Sequence, residues 1–225
     1  VYRRAKGVDS KKAFGTSEDV YKSGYTWMTH SIAAKPPTTE PLRVRIGGPD
    51  CRQPYEASLY NISAMSFGAL SSTAIAALNR GAALGGFAHD TGEGGISDYH
   101  RQGGALIYQV ASGYFGCRNL DGTFSPSLFA QQAQDPQIKM IEVKLSQGAK
   151  PGHGGMLPAA KITPEIAKAR GIPMGVDCIS PPAHSAFSTP KGLMEFIAQL
   201  RDLSGGKPVG FKLCICLLYT SDAAD

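Results

Sequence analysis

The sequence lacks the features that mark several common classes of protein. Its five cysteines stand singly apart from the pair Cys214 and Cys216, so they indicate neither a disulfide framework nor a zinc or iron–sulfur site within the chain. No apolar run is long enough to span a bilayer. No Gly-x-Gly-x-x-Gly motif follows the first predicted strand, which argues against a dinucleotide-binding fold. No internal repeat is present.

Acidic residues are fewer than basic ones, 18 against 23, which gives a net charge of +5 and a pI near 8.9. Because the cations are dispersed, a small anionic ligand explains them, and we expect no nucleic-acid partner. The free thiols favour the cytoplasm. Val1 is neither an initiator nor the start of a signal peptide, so we expect the chain to begin inside a longer protein. A membrane segment further upstream stays open.

Strand-like and helix-like segments alternate from residue 58 onward. The predicted strands are 58–63, 86–90, 106–110, 137–143, 174–179 and 208–213. The predicted helices are 72–84, 163–170 and 191–203. This alternation predicts an α/β fold with parallel strands. Since polar residues follow nearly every strand, a barrel is favoured over an open sheet.

We therefore predict an incomplete TIM (β/α)8 barrel, with about six of its strands, over residues 55–215. Residues 1–54 are basic, aromatic and rich in proline, and they predict an irregular arm that packs on the barrel. Residues 216–225 break the strand–helix rhythm and are interpreted as a non-native tail. Without the last strands of the barrel, the loops that hold a ligand phosphate would be missing, and this chain is expected to bind such a ligand weakly or not at all.

One loop concentrates cations, an amide and glycines directly after a predicted strand: Lys144-Leu-Ser-Gln-Gly-Ala-Lys-Pro-Gly-His-Gly-Gly155. Glycines let the backbone approach a ligand closely, and the lysine and glutamine side chains can donate to an anion or to the carbonyl edge of a flavin. A solvated surface loop has a similar composition. The loop alone therefore leaves both interpretations open.

Four motifs in fixed order resemble a known family. They are Ser63-Ala-Met-Ser-Phe-Gly68, Thr91-Gly-Glu-Gly-Gly95, Gln147-Gly-Ala-Lys-Pro-Gly152 and Ser180-Pro-Pro-x-His184. Together they resemble the FMN-binding synthase domain of glutamate synthases, in particular the glutamate-synthase-like proteins without a glutaminase domain. The resemblance implies a TIM barrel. It also implies an FMN-dependent oxidoreductase that reduces the imine of 2-oxoglutarate and ammonia to glutamate.

The resemblance implies a set of cofactor contacts, namely Met65, Ser66, Gln147 and Lys212. A flavin needs a positive charge near N1 and O2 to stabilise its anionic reduced form, and Lys212 would supply that charge. A lysine at a strand end could equally reach solvent. No metal site is expected in this chain, and the cysteines of an iron–sulfur cluster would follow residue 215.

The resemblance also implies the substrate contacts. Ser112, Lys150 and Arg170 would anchor the keto acid, because a dicarboxylate needs two cationic or donor-rich contacts. Glu93, Lys150 and His184 are the candidate catalytic residues. Glu93 could instead accept backbone N–H bonds in its glycine turn, and Arg170 could complement a helix dipole.

Two departures from the family pattern concern the substrate. His153 stands where an acidic residue is common, and Met156 stands where a glutamine helps to hold the keto acid. We therefore expect either a keto or imino acid other than 2-oxoglutarate, or a partner subunit that supplies ammonia.

Other functions stay open at this point. A similar domain occurs in a methylamine transferase that forms N-methylglutamate, and a non-catalytic ligand-binding barrel is the alternative outside enzymology. An electron-donating subunit is a further expected partner.

Overall fold

The computed structural model describes residues 7, 17–27, 29–36, 38–145 and 153–214. The chain divides into two compact units, Val1–Glu40 and Pro41–Asp225. The described residues of the first unit form turns without a helix or strand. Across the described ranges, no helix combines the length and apolar character needed to cross a membrane.

The second unit contains the strands and helices. The strands are β1 (Arg43–Ile46), β2 (Tyr55–Ser58), β3 (Ala88–Asp90), β4 (Ala105–Val110), β5 (Ile138–Lys144), β6 (Met156–Leu157), β7 (Cys178–Ile179) and β8 (Val209–Lys212). The helices are α1 (Ser72–Gly85), α2 (Pro126–Ala133), α3 (Pro164–Arg170) and α4 (Pro190–Leu203), with short 3-10 turns at Asp98–His100 and Ala159–Lys161.

Four strands form a parallel sheet in the order β3, β4, β5, β8. Ile62 extends this sheet at the β3 edge through a single parallel bridge to His89. Two antiparallel pairs, β1 with β2 and β6 with β7, lie outside it. The mixed α/β class is confirmed, and a four-stranded parallel sheet is compatible with part of a barrel.

The helices begin and end where local chemistry predicts. Ser71, Ser125, Thr163 and Thr189 each accept a backbone N–H bond at a helix start. Glycines in the left-handed conformation end α1 and α3, at Gly86 with φ 64° and Gly171 with φ 67°. The predicted helices 72–84, 163–170 and 191–203 are confirmed to within one residue at each end.

Helix α2 was not predicted, although its signals are present. Ser125 followed by Pro126 is a typical helix start, and Phe129 and Ala133 lie four residues apart and are both buried. The surrounding glycines and serines of residues 112–125 obscured this short helix.

Three strand predictions differ from the structure. Residues 43–46 form β1 within the segment predicted to be irregular, because their alternating side chains suit an antiparallel pair with β2. The strand expected at 58–63 is reduced to the bridge at Ile62. The strand expected at 174–179 is only β7, which pairs with β6, so β8 lies directly beside β5.

The parallel sheet has one apolar face and one polar face. On strands β4 and β5, Tyr108, Val110, Ile141 and Val143 are almost fully buried and pack in one cluster with Phe129 of α2 and with apolar residues of α4. The alternating positions on these strands include Gln109, Glu142 and Lys144. Strand periodicity therefore places the ionisable side chains on the face that the helices do not cover.

Asn79 connects α1 to the loop before β4. It is fully buried, and its Oδ1 accepts from the backbone nitrogens of Gln102 at 2.9 Å and Gly104 at 3.0 Å. Its Nδ2 lies 3.5 Å from the carbonyl oxygen of Gly104. One side chain therefore satisfies two loop N–H groups and fixes the start of the parallel sheet.

Replacing Asn79 with alanine should lower the free energy of unfolding by about 2–4 kcal/mol, because the buried N–H of Gly104 and the half-buried N–H of Gln102 both lose their acceptor. Urea unfolding measures this change. The control is Arg80→Ala on the exposed face of the same helix, which should stay within about 0.5 kcal/mol of the parent. Equal effects of the two substitutions would contradict the role of Asn79.

Candidate functional site

A cavity of about 270 Å³ opens on the polar face of the sheet, where the loops after several strands meet. Its lining residues come from segments distant in sequence: Ala64, Ser66, Ala69, Gly92, Glu93, Gln109, Lys144, Gly155, Met156, Leu157, Arg170, Ser180 and Lys212. A larger cavity of about 530 Å³ lies between α2 and α3, and no described residue predicted to bind cofactor or substrate lines it. We therefore take the smaller cavity as the candidate site.

The structure brings together four of the residues predicted from the sequence. Ser66, Glu93, Arg170 and Lys212 line the 270 Å³ cavity. Ser112 lines a small neighbouring cavity of about 20 Å³, which Glu93 and Lys144 also line. Met65 and His184 line neither cavity, and Gln147 and Lys150 lie outside the described residues.

The glycines of the Thr91–Gly95 motif allow the close approach of backbones that forms the cavity wall. Gly92 has φ 65°, and a Cβ there would lie 2.7 Å from the nitrogen of Ser66. A Cβ on Gly94 would meet the Arg170 guanidinium at 3.2 Å. These glycines let Glu93 sit between the Ser66 loop and the end of α3.

Glu93 forms an ion pair with Lys144. The carboxylate Oε2 lies 2.8 Å from Nζ, and the side chains are only 20% and 12% exposed, so solvent screens this pair less than a surface one. Sequence reasoning placed Glu93 near a substrate but missed Lys144 as its partner. The available signal was the alternation along β5 of buried Ile141 and Val143 with Glu142 and Lys144.

Arg170 is buried at the end of α3 with no acidic partner. Its side chain donates to the carbonyl oxygen of Phe67 at 3.3 Å, and its guanidinium lies 5.3 Å from the ring centroid of Phe115. Its Nε is buried without a partner, and among the described residues no carboxylate lies within ion-pair distance. A buried guanidinium in that state favours an anionic ligand.

Lys212 is the second cation of the sheet edge. It ends β8 and pairs in register with Lys144 at the end of β5. Both side chains line the cavity. Since Glu93 pairs with Lys144, Lys212 and Arg170 supply positive charge to the cavity, which suits a ligand with more than one negative group.

Ser112 joins two loops rather than standing free. Its hydroxyl donates to the carbonyl oxygen of Pro181, which couples the loop after β4 to the Ser180-Pro181-Pro182 turn. His153 lines the small cavity beside Ser112, and Met156, which is 63% exposed, lines the 270 Å³ cavity. These two departures from the family pattern are therefore next to the candidate site.

His184 is held within an aromatic cluster. Its Nε2 lies 2.8 Å from the carbonyl oxygen of Lys144, so it donates there, and its Nδ1 accepts from the Tyr114 hydroxyl at 3.1 Å. Burial lowers the pKa of the ring. Both ring nitrogens are hydrogen-bonded to protein groups, which favours a role for His184 in positioning Lys144. The acid–base role of His184 stays a prediction.

His89 and Cys117 belong to the folded core. Burial, with His100 nearby, lowers the pKa of His89 to about 4, and burial raises the pKa of the Cys117 thiol to about 12. Neither group is poised for chemistry at neutral pH. Across the described ranges, no group of three or more His, Cys, Asp or Glu side chains could hold a metal ion.

Comparison with known proteins gives a consistent result. Residues 51–220 match the family model described as the conserved region in glutamate synthase. The chain is 44% identical over 171 residues to the glutamate synthase large subunit-like protein YerD of Bacillus subtilis (strain 168). The aligned region covers 75% of this chain and 32% of that protein.

Two further relatives are named as glutamate synthases. The chain is 38% identical to the archaeal-type glutamate synthase [NADPH] of Thermotoga sp. (strain RQ2) over 67% of this chain and 28% of that protein. It is 36% identical to the archaeal glutamate synthase [NADPH] of Methanocaldococcus jannaschii over 68% of this chain and 28% of that protein. The chain therefore spans about a third or less of these relatives.

Gly155→Ala should disturb the candidate site with little effect on the rest of the fold, because a Cβ at Gly155 would collide with the Glu93 carboxylate. We expect the displaced carboxylate to lose its ion pair with Lys144 and the free energy of unfolding to fall by about 1–2 kcal/mol, as measured by urea unfolding. Gly48→Ala is the matched control, since a Cβ at Gly48 meets open space. An unchanged free energy of unfolding in Gly155→Ala would contradict the importance of the Glu93 position.

The ring of His89 should stay neutral in the folded protein until the pH falls to about 4. An unfolded histidine binds its proton near pH 6.5, so between these values the unfolded state binds more protons. The contribution of His89 to the free energy of unfolding should therefore fall as pH is lowered through this window. Nitrogen-15 NMR of the ring measures the pH at which His89 binds its proton in the folded protein. A transition near pH 6.5 would contradict the burial of the ring.

Proposed function

Because this chain belongs to the glutamate synthase family, we propose that it forms part of an FMN-dependent oxidoreductase that reduces the imine of a keto acid and ammonia. The family match confirms the resemblance that the four motifs predicted. We propose that the four-stranded parallel sheet belongs to a TIM barrel, and that an iron–sulfur cluster and an electron donor are contributed outside this chain. The observation that carries the proposed function is the buried guanidinium of Arg170, which has no acidic partner within the described ranges.

The donor set of the cavity suits a flavin. Gly92 and Gly94 let the Ser66 backbone and the Arg170 guanidinium approach the cavity wall closely, Ser66 offers a hydroxyl, and Lys212 offers a cation at the sheet edge. We propose that Ser66, Met65 and Lys212 hold the ring system, together with Gln147 of the loop after β5. Bound FMN would supply the hydride for the reduction.

Arg170 is the proposed anchor for one carboxylate of the keto acid. Its fixed position over Phe115 and against the Phe67 carbonyl leaves its guanidinium rigid, so little entropy is lost when a carboxylate binds. Lys150 is the proposed contact of the second carboxylate, and Ser112 would join it by exchanging the Pro181 carbonyl oxygen for the carboxylate as the acceptor of its hydroxyl. Two anchors at fixed positions would orient the carbon that accepts the hydride.

Glu93 is the proposed contact for the nitrogen of the substrate. Its ion pair with Lys144 holds the carboxylate in place at the cavity, where an oxygen can accept an N–H bond from ammonia or from the imine. His184 donates to the carbonyl oxygen of Lys144 and so helps to fix the position of Lys144 in this ion pair. The pair therefore orients the nitrogen while Arg170 orients the acid.

Met156 bears on the choice of keto acid. It lines the cavity with an apolar side chain that cannot donate to a carboxylate. We propose that the preferred keto acid differs from 2-oxoglutarate in the group that lies next to Met156. An N-methylglutamate-forming reaction would need methylamine in place of ammonia. The flavin assay described next distinguishes the two reactions by the amine that they require.

The test follows reoxidation of the reduced flavin in the intact protein without oxygen. We expect reoxidation only when a keto acid and an ammonium salt are both present. The panel contains 2-oxoglutarate, oxaloacetate, pyruvate and glyoxylate, each with ammonium or methylammonium. A clear preference for 2-oxoglutarate would contradict the altered keto acid, and no reoxidation with any pair would contradict the proposed function.

Arg170→Gln should raise KM for the keto acid about 30-fold, because a charge-assisted hydrogen bond is lost, while the flavin content stays unchanged. Arg170→Lys keeps the charge and should show a smaller rise. Arg201→Gln, on the exposed side of α4, is the control and should leave KM unchanged. A folded Arg170→Gln protein with the parental KM would contradict the anchor.

A further inference from the structure

His100 is a fully buried histidine that has no part in the reaction described so far. It lies in the short 3-10 turn that follows the Thr91–Gly95 motif. Its Nε2 lies 3.1 Å from the carbonyl oxygen of Met65, and its Nδ1 lies 3.1 Å from the backbone nitrogen of Ser97. The ring therefore connects this turn to the loop that contributes Ser66 to the 270 Å³ cavity.

These two contacts determine the tautomer of His100. The backbone N–H of Ser97 can only donate, so Nδ1 accepts and carries no proton. The carbonyl oxygen of Met65 can only accept, so Nε2 carries the proton and donates it. Burial lowers the pKa of His100, which keeps the ring neutral at neutral pH. His100 is therefore a fixed donor to the Met65 carbonyl.

The hydrogen bond from His100 completes the pairing of all but one backbone group of Met65 and Ser66. The Met65 nitrogen donates to the carbonyl oxygen of Asp90 at 3.1 Å, and the Ser66 carbonyl oxygen accepts from the nitrogen of Leu70 at 3.0 Å. The backbone N–H of Ser66 is the remaining group. Within the described ranges it donates to no protein acceptor, although Ser66 is half-buried. Such a group favours an acceptor from outside the chain.

Peptide geometry directs this N–H away from His100. The peptide between Met65 and Ser66 is trans, so its carbonyl and its N–H point in opposite directions. Ser66 and Gly92 line the 270 Å³ cavity, whereas Met65 and His100 do not. A Cβ on Gly92 would lie 2.7 Å from the Ser66 nitrogen, so the glycine leaves that nitrogen uncovered on the cavity side.

We propose that His100 is a positioning residue, which holds the Met65–Ser66 peptide so that the Ser66 N–H donates to an acceptor atom of the ligand in the cavity. His100 acts through this peptide and does not line the cavity itself. Under the proposed function the ligand is the flavin, whose ring nitrogens and carbonyl oxygens accept hydrogen bonds. The peptide orientation stands on the contacts alone, whereas the identity of the ligand rests on the proposed function.

A role confined to its own turn is the alternative for His100. The two hydrogen bonds between His100 and the Ser97 backbone would stabilise that turn whatever the Met65 carbonyl contacts. Asparagine and glutamine separate the two roles, because each reproduces one nitrogen of the ring. An asparagine oxygen can accept near the position of Nδ1, and a glutamine nitrogen can donate near the position of Nε2.

The first measurement is the FMN affinity of the intact protein, by fluorescence titration. His100→Gln keeps a donor for the Met65 carbonyl and should bind FMN within about threefold of the parent. His100→Asn loses that donor and should bind FMN about tenfold more weakly than the parent. His30→Asn is the control, because His30 is exposed, and it should leave the affinity unchanged.

A role confined to the turn predicts the opposite order, since asparagine keeps the acceptor for the Ser97 N–H and glutamine does not. Tighter binding by His100→Asn than by His100→Gln would therefore overturn the proposal. Equal affinities of the two variants would also overturn it.

The second measurement uses the parent protein alone, so it does not depend on the folding of a variant. Nitrogen-15 NMR should show His100 with a proton on Nε2 and a scalar coupling from Nε2 to the Met65 carbonyl carbon. When FMN is added, the Ser66 amide hydrogen should exchange with solvent about tenfold more slowly. A proton on Nδ1 alone, or an exchange rate that bound FMN leaves unchanged, would overturn the proposal.

The two failures are distinguishable. A protein that binds no FMN at all would contradict the proposed function and the flavin as the acceptor. The coupling between His100 and Met65 would then still decide whether the peptide is held in the stated orientation, and its absence would overturn the positioning role as well.

Discussion

Charged side chains that leave bulk water must find partners, and this constraint organises the polar face of the parallel sheet. The other face is occupied by apolar side chains such as Tyr108 and Ile141, which pack under the helices. The remaining alternate positions of β4 and β5 carry an amide, a carboxylate and a lysine: Gln109 donates to Glu142 across the two strands, and Lys144 pairs with Glu93 of the loop after β3. Arg170 is the exception, since within the described part of the chain it has no anionic partner. The cavity and its proposed chemistry follow from that imbalance.

Local signals determined which parts of the fold could be predicted. Helix α1 follows from its serine cap and its terminal glycine, and α4 from buried residues at helical spacing. These are interactions within a few residues of one another, which the sequence displays directly. The pairing of β7 with β6, and therefore the direct contact of β5 with β8, depends on partners about twenty residues or more apart. The hydrophobic periodicity within one strand does not show which strand lies beside it in the sheet.

The same distinction applies to the candidate site. Motif resemblance identified Ser66, Glu93, Arg170 and Lys212, and the fold brings these four to one cavity. The resemblance could not show that Lys144 pairs with Glu93, that the two nitrogens of His184 are both occupied, or that Gln109 donates to Glu142. Each of these depends on side chains from different strands. Burial then changes what they can do, because a half-hidden carboxyl group behaves differently from one in water.

The buried cation of Arg170 is proposed to bind a carboxylate of the substrate. A crystal structure of the intact protein with FMN and a bound dicarboxylate keto acid tests this contact. We expect a carboxylate within hydrogen-bond distance of the Arg170 guanidinium, in the cavity that Glu93 and Lys212 also line. A keto acid bound elsewhere, with Arg170 contacting only protein groups, would contradict it.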